Sequence, residues 1–114
     1  MGIILEIFKG RELTVSYFDK QIGESKLYHQ SAICTLDKWS RNRPPIDVPV
    51  ELFKLLIEYR ILELDSGNFE TGEEHYILSN IKAKEIEMTE FSYNYIAKLA
   101  KPVLREVRLN KLLK

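Results

Sequence analysis

The chain has 114 residues, the length of one typical domain, and 45% of them are hydrophobic. That apolar content suffices for a packed core and argues against a disordered tail. Its 17 Lys and Arg residues balance 17 Asp and Glu residues, which excludes a uniformly basic coat for nucleic acid and a uniformly acidic mimic of one. The single cysteine excludes an internal disulfide and a zinc site built from several cysteines.

Neither a membrane span nor a signal peptide is indicated. No apolar run approaches the roughly 18 residues that a membrane span requires. The first residues, MGIILE, lack the basic region and the cleavage site of a signal peptide. We therefore expect a soluble cytoplasmic protein that makes no membrane contact.

The first third of the sequence has the pattern of an antiparallel sheet. The short apolar run Ile3–Phe8 is rich in β-branched residues and predicts a first strand. Residues 12–17 alternate between apolar and polar side chains and predict a second strand. One face of that strand carries Leu13, Val15 and Tyr17. A loop is predicted over residues 19–25, one bent strand or two short ones over Leu27–Leu36, and a further loop over the proline-containing residues 37–45.

The middle of the sequence predicts a helix followed by a hairpin. Asp47 is a good N-cap, and the proline two residues later fits the first turn of a helix that ends near residue 60. Apolar residues recur at helical spacing at Leu52, Leu55, Leu56, Tyr59 and Leu62. Residues 61–64 and 75–78 predict two strands, joined through a turn at residues 65–68.

The C-terminal part predicts two or three further helices. Ser79 is a candidate cap for a short helix that continues through residue 86, and Thr89 is a candidate cap for the next helix. Pro102 predicts a break or a kink. An apolar stripe follows it, formed by Val103, Leu104, Val107, Leu112 and Leu113.

This order of elements predicts an α+β fold. A small antiparallel, β-rich N-terminal part is followed by a helix, a β-hairpin and C-terminal helices. Residues 1–79 form the β-rich domain in this interpretation. Residues 80–114 form a helical segment, either within the same domain or beside it.

The sequence shows no arrangement that is typical of catalysis or metal binding. Cys34 and His29 point to opposite faces if their segment is one strand, so we expect a buried structural cysteine and a surface histidine. His75 lies beside two glutamates but lacks the second histidine of a zinc site. Glycine-rich phosphate loops and the usual hydrolase motifs do not occur. We therefore predict a protein that is not an enzyme and that uses no cofactor, metal or small-molecule substrate.

Residues 46–64, IDVPVELFKLLIEYRILEL, combine a polar residue, a Val-Pro step and an apolar helix that leads into a short strand. This pattern resembles the signature in the small β-rich domain of GINS replication-complex subunits of the archaeal type that place this domain first. Residues 93–109 look like a GINS helix with a basic, leucine-rich end. The resemblance implies a non-enzymatic subunit for DNA replication, which assembles with a related subunit and links the replicative helicase to other fork proteins. The chain departs from the family because residues 80–114 are too few for its larger helical domain.

Charge is distributed unevenly, and this points to a partner. Residues 58–79 carry one basic and six acidic side chains, whereas residues 80–114 carry eight basic and four acidic ones. An acidic middle and a basic tail favour a protein partner with complementary patches, which is a related subunit or another copy of the chain. The predicted partner-binding residues are Leu104, Val107, Arg108 and Leu112. In the alternative interpretation the charged segments are solvated surface and the last helix closes the domain's own core.

The second functional hypothesis is a small nucleic-acid-binding regulatory protein, of the kind that viruses and plasmids encode, with a winged helix in residues 55–79. The helix after Asp47 and the wing are both rich in glutamate, which disfavours contact with DNA phosphates. A tryptophan beside cations is better suited to stacking on single strands. The candidate nucleic-acid-binding residues are therefore Lys38, Trp39, Arg41 and Arg43. The alternative is an ordinary loop with Trp39 in the core.

Overall fold

The structure, a computed structural model, describes residues 2–21, 28–39, 41–68, 72–79 and 89–112. These ranges contain three helices and a five-stranded antiparallel sheet, which confirms the predicted α+β class. The helices are α1 (Gly2–Phe8), α2 (Val50–Glu58) and α3 (Glu90–Leu112). The strands are β1 (Leu13–Gln21), β2 (Tyr28–Leu36), β3 (Ile46–Val48), β4 (Leu62–Asn68) and β5 (Glu73–Leu78).

The strands lie in the order β3-β2-β1-β5-β4, so β1 is central and β3 and β4 are the edges. Alternation along β1 buries Leu13 and Val15 on one face, as the sequence pattern predicts. The apolar sides of all three helices join this face in one buried cluster. α3 adds Ile96, Ala100, Val103 and Val107 to that cluster, so the described C-terminal residues pack on the β-rich part of the chain.

α1 replaces the strand that we predict over Ile3–Phe8, and this prediction is wrong. Ile4, Ile7 and Phe8 are buried together, at the spacing of one helix face. A short apolar run shows no clear period, so the sequence pattern alone cannot separate a buried strand from a buried helix. Packing against α3 decides the outcome, because a helix of seven residues is not stable in water by itself.

The start of α2 also differs from the prediction. Pro49 occupies the N-cap position, and the predicted cap Asp47 lies instead in β3, opposite Thr35. The physical reason is burial: Ile46 and Val48 on either side of Asp47 are both in the core, and only an extended segment turns both toward it. The end of α2 at Glu58 agrees with the prediction.

The β4–β5 hairpin contains more strand than predicted. Residues 65–68, the predicted turn, belong to β4, where a register shift between Leu64 and Ser66 marks a bulge.

The carbonyl of Gly72 accepts a hydrogen bond from the amide of Tyr17, and Gly72 has a φ of +69°. A Cβ at this position would lie 2.7 Å from the Tyr17 carbonyl oxygen, so only glycine fits.

α3 is continuous through Pro102 over its 23 residues. Of the predicted break or kink, the break is therefore wrong, and the kink stays a prediction. Ala100 and Val103 on either side of Pro102 are buried, and their packing holds the helix together there. The predicted cap at Thr89 is confirmed, because its Oγ1 accepts a hydrogen bond from the amide of Ser92 at 3.1 Å. Residues 19–21, which are predicted as loop, belong to β1, so that part of the prediction is wrong. The rest of that loop, the predicted short helix after Ser79, and Leu113 lie outside the described residues.

None of the helices that the structure describes is long and apolar enough to cross a membrane.

Candidate binding surfaces

An apolar groove lies beside α3 where the start of α1 approaches it. Its volume is about 450 Å³. The residues that line it, hereafter the apolar groove, are Ile3, Lys101, Leu104, Arg105, Arg108, Leu109 and Leu112. Leu109 is 45% exposed and Leu112 is 80% exposed, so two large apolar side chains lie open to solvent among three cations.

The helical period of α3 separates this groove from the core. Positions 101, 104, 105, 108 and 112 lie three or four residues apart and share one face, whereas Val103 and Val107 lie on the buried face. The predicted partner-binding residues are therefore divided. Leu104, Arg108 and Leu112 line the groove, but Val107 is fully buried in the chain's own core. The apolar stripe predicted from the sequence includes residues of both faces, because it extends around more than half of the circumference of the helix.

An exposed ion pair joins the two helices at the groove. Arg108 donates two hydrogen bonds to the Glu6 carboxylate, from Nε at 2.7 Å and from a terminal nitrogen at 3.2 Å. These hydrogen bonds from Arg108 hold the pKa of Glu6 below its usual value. The pair connects residues near the two ends of the chain and uses the negative charge of Glu6 within the protein.

A second cleft lies near the end of α1 and has a volume of about 400 Å³. Its lining combines Leu5, Val107 and Asn110 with five charged residues. The four cations among them, hereafter the basic cleft, are Lys9, Arg11, Arg43 and Lys111. Lys9 and Arg11 come from the segment between α1 and β1, Arg43 from the loop before β3 and Lys111 from the end of α3. Glu6 of α1 is the acidic group among the described residues of the lining.

Asp37 holds the floor of the basic cleft in place. Its Oδ2 lies 2.7 Å from Arg11, and both side chains are nearly buried, with 5% and 6% exposed. Arg43 lies 3.8 Å from the same oxygen. The amide of Asp37 donates to the Glu12 carbonyl at 2.9 Å, so the loop after β2 is fixed to the residue before β1.

Trp39 lies on the surface, with 67% of its area exposed. The Lys38 ammonium is 5.2 Å from the centre of its ring, within cation–π distance, and the same nitrogen lies 2.9 Å from Glu73. Arg41 is exposed as well. The interpretation that Trp39 belongs to the core is therefore wrong, and the indole ring is open to solvent.

Sequence reasoning names only part of this basic surface. The proposed cluster of Lys38, Trp39, Arg41 and Arg43 is local in the chain, whereas Lys9, Arg11 and Lys111 come from distant segments. The only sequence signal for Lys111 is the basic charge of the C-terminal segment, and nothing in the sequence connects that segment with residues 9–11.

An acidic edge lies on the outer strand of the sheet. Glu63, Leu64 and Asp65 of β4 are exposed, and they are hereafter called the acidic edge. Leu64 is 54% exposed and points to the opposite face of the sheet from Glu63, so the edge carries an apolar side chain on one face and a carboxylate on the other. Its sign is opposite to that of the apolar groove.

The groups that the sequence suggests for chemistry lie apart from these surfaces. Cys34 is buried, and burial raises the pKa of its thiol to about 11, which leaves it a poor nucleophile. His75 lies in β5 with Nδ1 2.8 Å from Glu12 Oε1 and 3.2 Å from Thr14 Oγ1. No group of three or more potential metal ligands occurs among the residues that the structure describes.

α2 does not present a DNA-reading face. Its apolar side is buried in the core, and Glu51 on its outer side accepts a hydrogen bond from the Tyr95 hydroxyl of α3. The remaining exposed positions are Lys54 and Glu58, which offer little attraction to phosphates.

Comparison of the chain with protein-family models, curated proteins and solved structures finds no match.

Proposed function

We propose that the chain is a non-enzymatic assembly subunit, of the general kind that its resemblance to GINS subunits implies, and that the apolar groove is its docking surface. The observation that carries this proposal is the pair of exposed leucines, Leu109 and Leu112, among three cations on one face of α3. Apolar side chains rimmed by polar groups are typical of protein interfaces.

The partner that fits the groove is a second copy of the chain. The acidic edge has the opposite charge and exposes Leu64 to meet the apolar side chains. Strand β4 is an edge strand, and an exposed edge is a site where another chain can dock. Since groove and acidic edge are different surfaces, the contact is head to tail, and each copy has one of each.

Light scattering of the purified chain tests this assembly. We expect a mass above that of the monomer at micromolar concentration and low salt, and a shift toward monomer in about 1 M salt, where the Debye length falls to about 3 Å. A chain that stays monomeric at every concentration and salt would overturn the second copy as partner.

Two variants separate the surfaces. The groove variant Leu109→Ser/Leu112→Ser retains the acidic edge, and the edge variant Glu63→Lys/Asp65→Lys retains the groove. We expect each variant to be a folded monomer by circular dichroism, and their equimolar mixture to form a dimer that does not grow further. The matched control is Phe91→Ser, which removes an equally exposed side chain from the other end of α3 and should assemble as the wild type does.

The mixture gives the decisive result. If the folded variants do not combine, or if the groove variant still assembles alone, the groove is not docked against the acidic edge and the proposal is wrong.

A further inference from the structure

We propose that the basic cleft and Trp39 bind single-stranded nucleic acid, with backbone phosphates at the cleft and a base stacked on the indole ring. The basic cleft and the apolar groove are lined by different residues of α1 and α3, and the Glu6–Arg108 ion pair lies between them. The proposal does not require the assembly proposed above. Its parts are a preformed cationic pocket and an exposed aromatic ring, the combination that non-specific single-strand binding uses.

The basic cleft carries an excess of positive charge. Among the described residues, no carboxylate lies within ion-pairing distance of Lys9 or Lys111. Arg11 and Arg43 share the single carboxylate of Asp37. Glu6 is the one acid among the described residues of the lining; it is paired with Arg108 outside the cleft and also attracts Lys111. The four cations of the cleft still outnumber the two carboxylates of Glu6 and Asp37. The cleft therefore attracts an anion.

The cleft is also rigid at its floor. The Arg11 side chain is 6% exposed and bound to Asp37 at 2.7 Å, so its guanidinium is fixed before a ligand arrives. A fixed arginine loses little conformational entropy when it binds a phosphate. The flexible lysines at the rim, Lys9 and Lys111, add charge without setting the geometry.

Trp39 is tied to the cleft through the loop that begins at Asp37. Trp39 follows Asp37 by two positions, so the Cα atoms of these two residues are at most about 7 Å apart. Asp37 is held by Arg11, and Lys38 pairs with Glu73, so the two residues that precede Trp39 are both anchored by side-chain contacts. The ring is two-thirds exposed and offers a free face to a base.

The exposed ring selects the kind of nucleic acid. A base can stack on Trp39 only if it has left its own stack, which single strands allow and duplexes resist. Lysine and arginine at the cleft contact phosphates without reading sequence, so binding should tolerate any base.

The test uses the full chain and a fluorescein-labelled oligo(dT) of about 15 nucleotides, a length that covers a typical single-strand site. Fluorescence anisotropy measures the affinity. A plot of log affinity against log salt concentration has a negative slope of about 0.7 in magnitude for each phosphate contact. Trp39 is the only tryptophan, so quenching of its emission reports base stacking directly. We expect binding, quenching and a negative slope of at least about 1.4 in magnitude, because Lys9 and Lys111 form no ion pair among the described residues.

Two surface variants test the two parts of the site. Trp39→Ala should weaken binding about 5- to 150-fold, and Trp39→Phe should restore much of it, because stacking requires an aromatic ring. Lys9→Ala/Lys111→Ala should reduce the magnitude of the salt slope by about 1.4. The matched control Lys54→Ala removes an exposed lysine from α2 and should change neither value. Arg11 is left intact because its buried ion pair supports the fold.

Three results would overturn the proposal. One is binding of a duplex of equal length as tightly as the single strand. Another is equal quenching of Trp39 by thymidine monophosphate at the same concentration, which would assign the site to a free nucleotide. The third is unchanged affinity in both surface variants. None of these results depends on the oligomeric state, so the site is judged separately from the assembly.

Discussion

Asp37 connects the sheet, the loop after β2 and the basic cleft. It has a φ of +59°, a left-handed conformation that aspartate and asparagine tolerate better than most residues. Its carboxylate compensates the nearly buried Arg11. Removing one partner of such a pair leaves a buried charge without compensation, which costs far more than the pair itself contributes.

The first prediction concerns this ion pair. Asp37→Asn keeps the size and the backbone preference but removes the charge, so we expect the free energy of unfolding to fall by about 3–5 kcal/mol. Urea denaturation measures this change. The control Asp65→Asn, on the exposed acidic edge, should stay within about 0.5 kcal/mol of the wild type, and equal losses in both variants would contradict the argument.

The end of α2 shows how one element is terminated. The amide of Ile61 donates to the Leu56 carbonyl at 2.8 Å and that of Arg60 to the Ile57 carbonyl at 3.0 Å. These two bonds form a Schellman motif, with Arg60 at the left-handed position. Its φ is +59°, where glycine is normally found. Ile61 and Leu56 are both buried, which provides the apolar contact that accompanies the motif.

The second prediction concerns the residue at this helix end. Arg60→Gly removes the steric cost of a side chain in the left-handed region, so we expect the protein to gain about 1 kcal/mol of stability. Arg60→Ala is the matched comparison, because it deletes the long side chain but keeps the Cβ. Unfolding midpoints in urea should rise for the glycine variant alone, and an equal rise for alanine would assign the effect to the arginine charge.

At the scale of the whole molecule, one core supports surfaces made by distant parts of the chain. Glu6 and Arg108 form an ion pair across 102 positions, and the basic cleft combines residues 9–11 with Lys111. α3 makes this possible because it is buried along one side and exposes the groove residues along another. The proposed binding surfaces therefore form only when the core is packed.

The third prediction separates core from surface. Leu56 is fully buried, and Leu56→Ala should cost about 2–5 kcal/mol through lost burial and the cavity left behind. Leu112→Ser, at the exposed end of the groove, should change the stability of the dilute monomer by no more than about 0.5 kcal/mol. Thermal and urea unfolding of both variants provide the measurement. A large loss for Leu112→Ser would place its side chain in the core and remove the groove.

Several features of the fold could be predicted from local pattern. Alternation identifies the buried face of β1, the spacing of Leu52 and Leu56 identifies α2, and Thr89 marks the start of α3. Residues close together in the sequence carry these signals, so they can be interpreted without knowing which segments pack against them. The candidate site is harder to predict from the sequence. Trp39 and the cations beside it can be recognised there, but the exposure of the indole ring cannot.

The sequence by itself therefore determined the α+β class, the course of α2 and the uneven distribution of charge, because side-chain period, capping and composition act over a few residues. Tertiary structure alone decided that Ile3–Phe8 is helical, that Asp47 lies in a strand and that α3 continues through Pro102. In each case burial against a distant segment outweighs a weak local preference. It also decided that Val107 belongs to the core while Leu112 remains exposed, since both lie on one apolar stripe and only the packed sheet distinguishes its two sides.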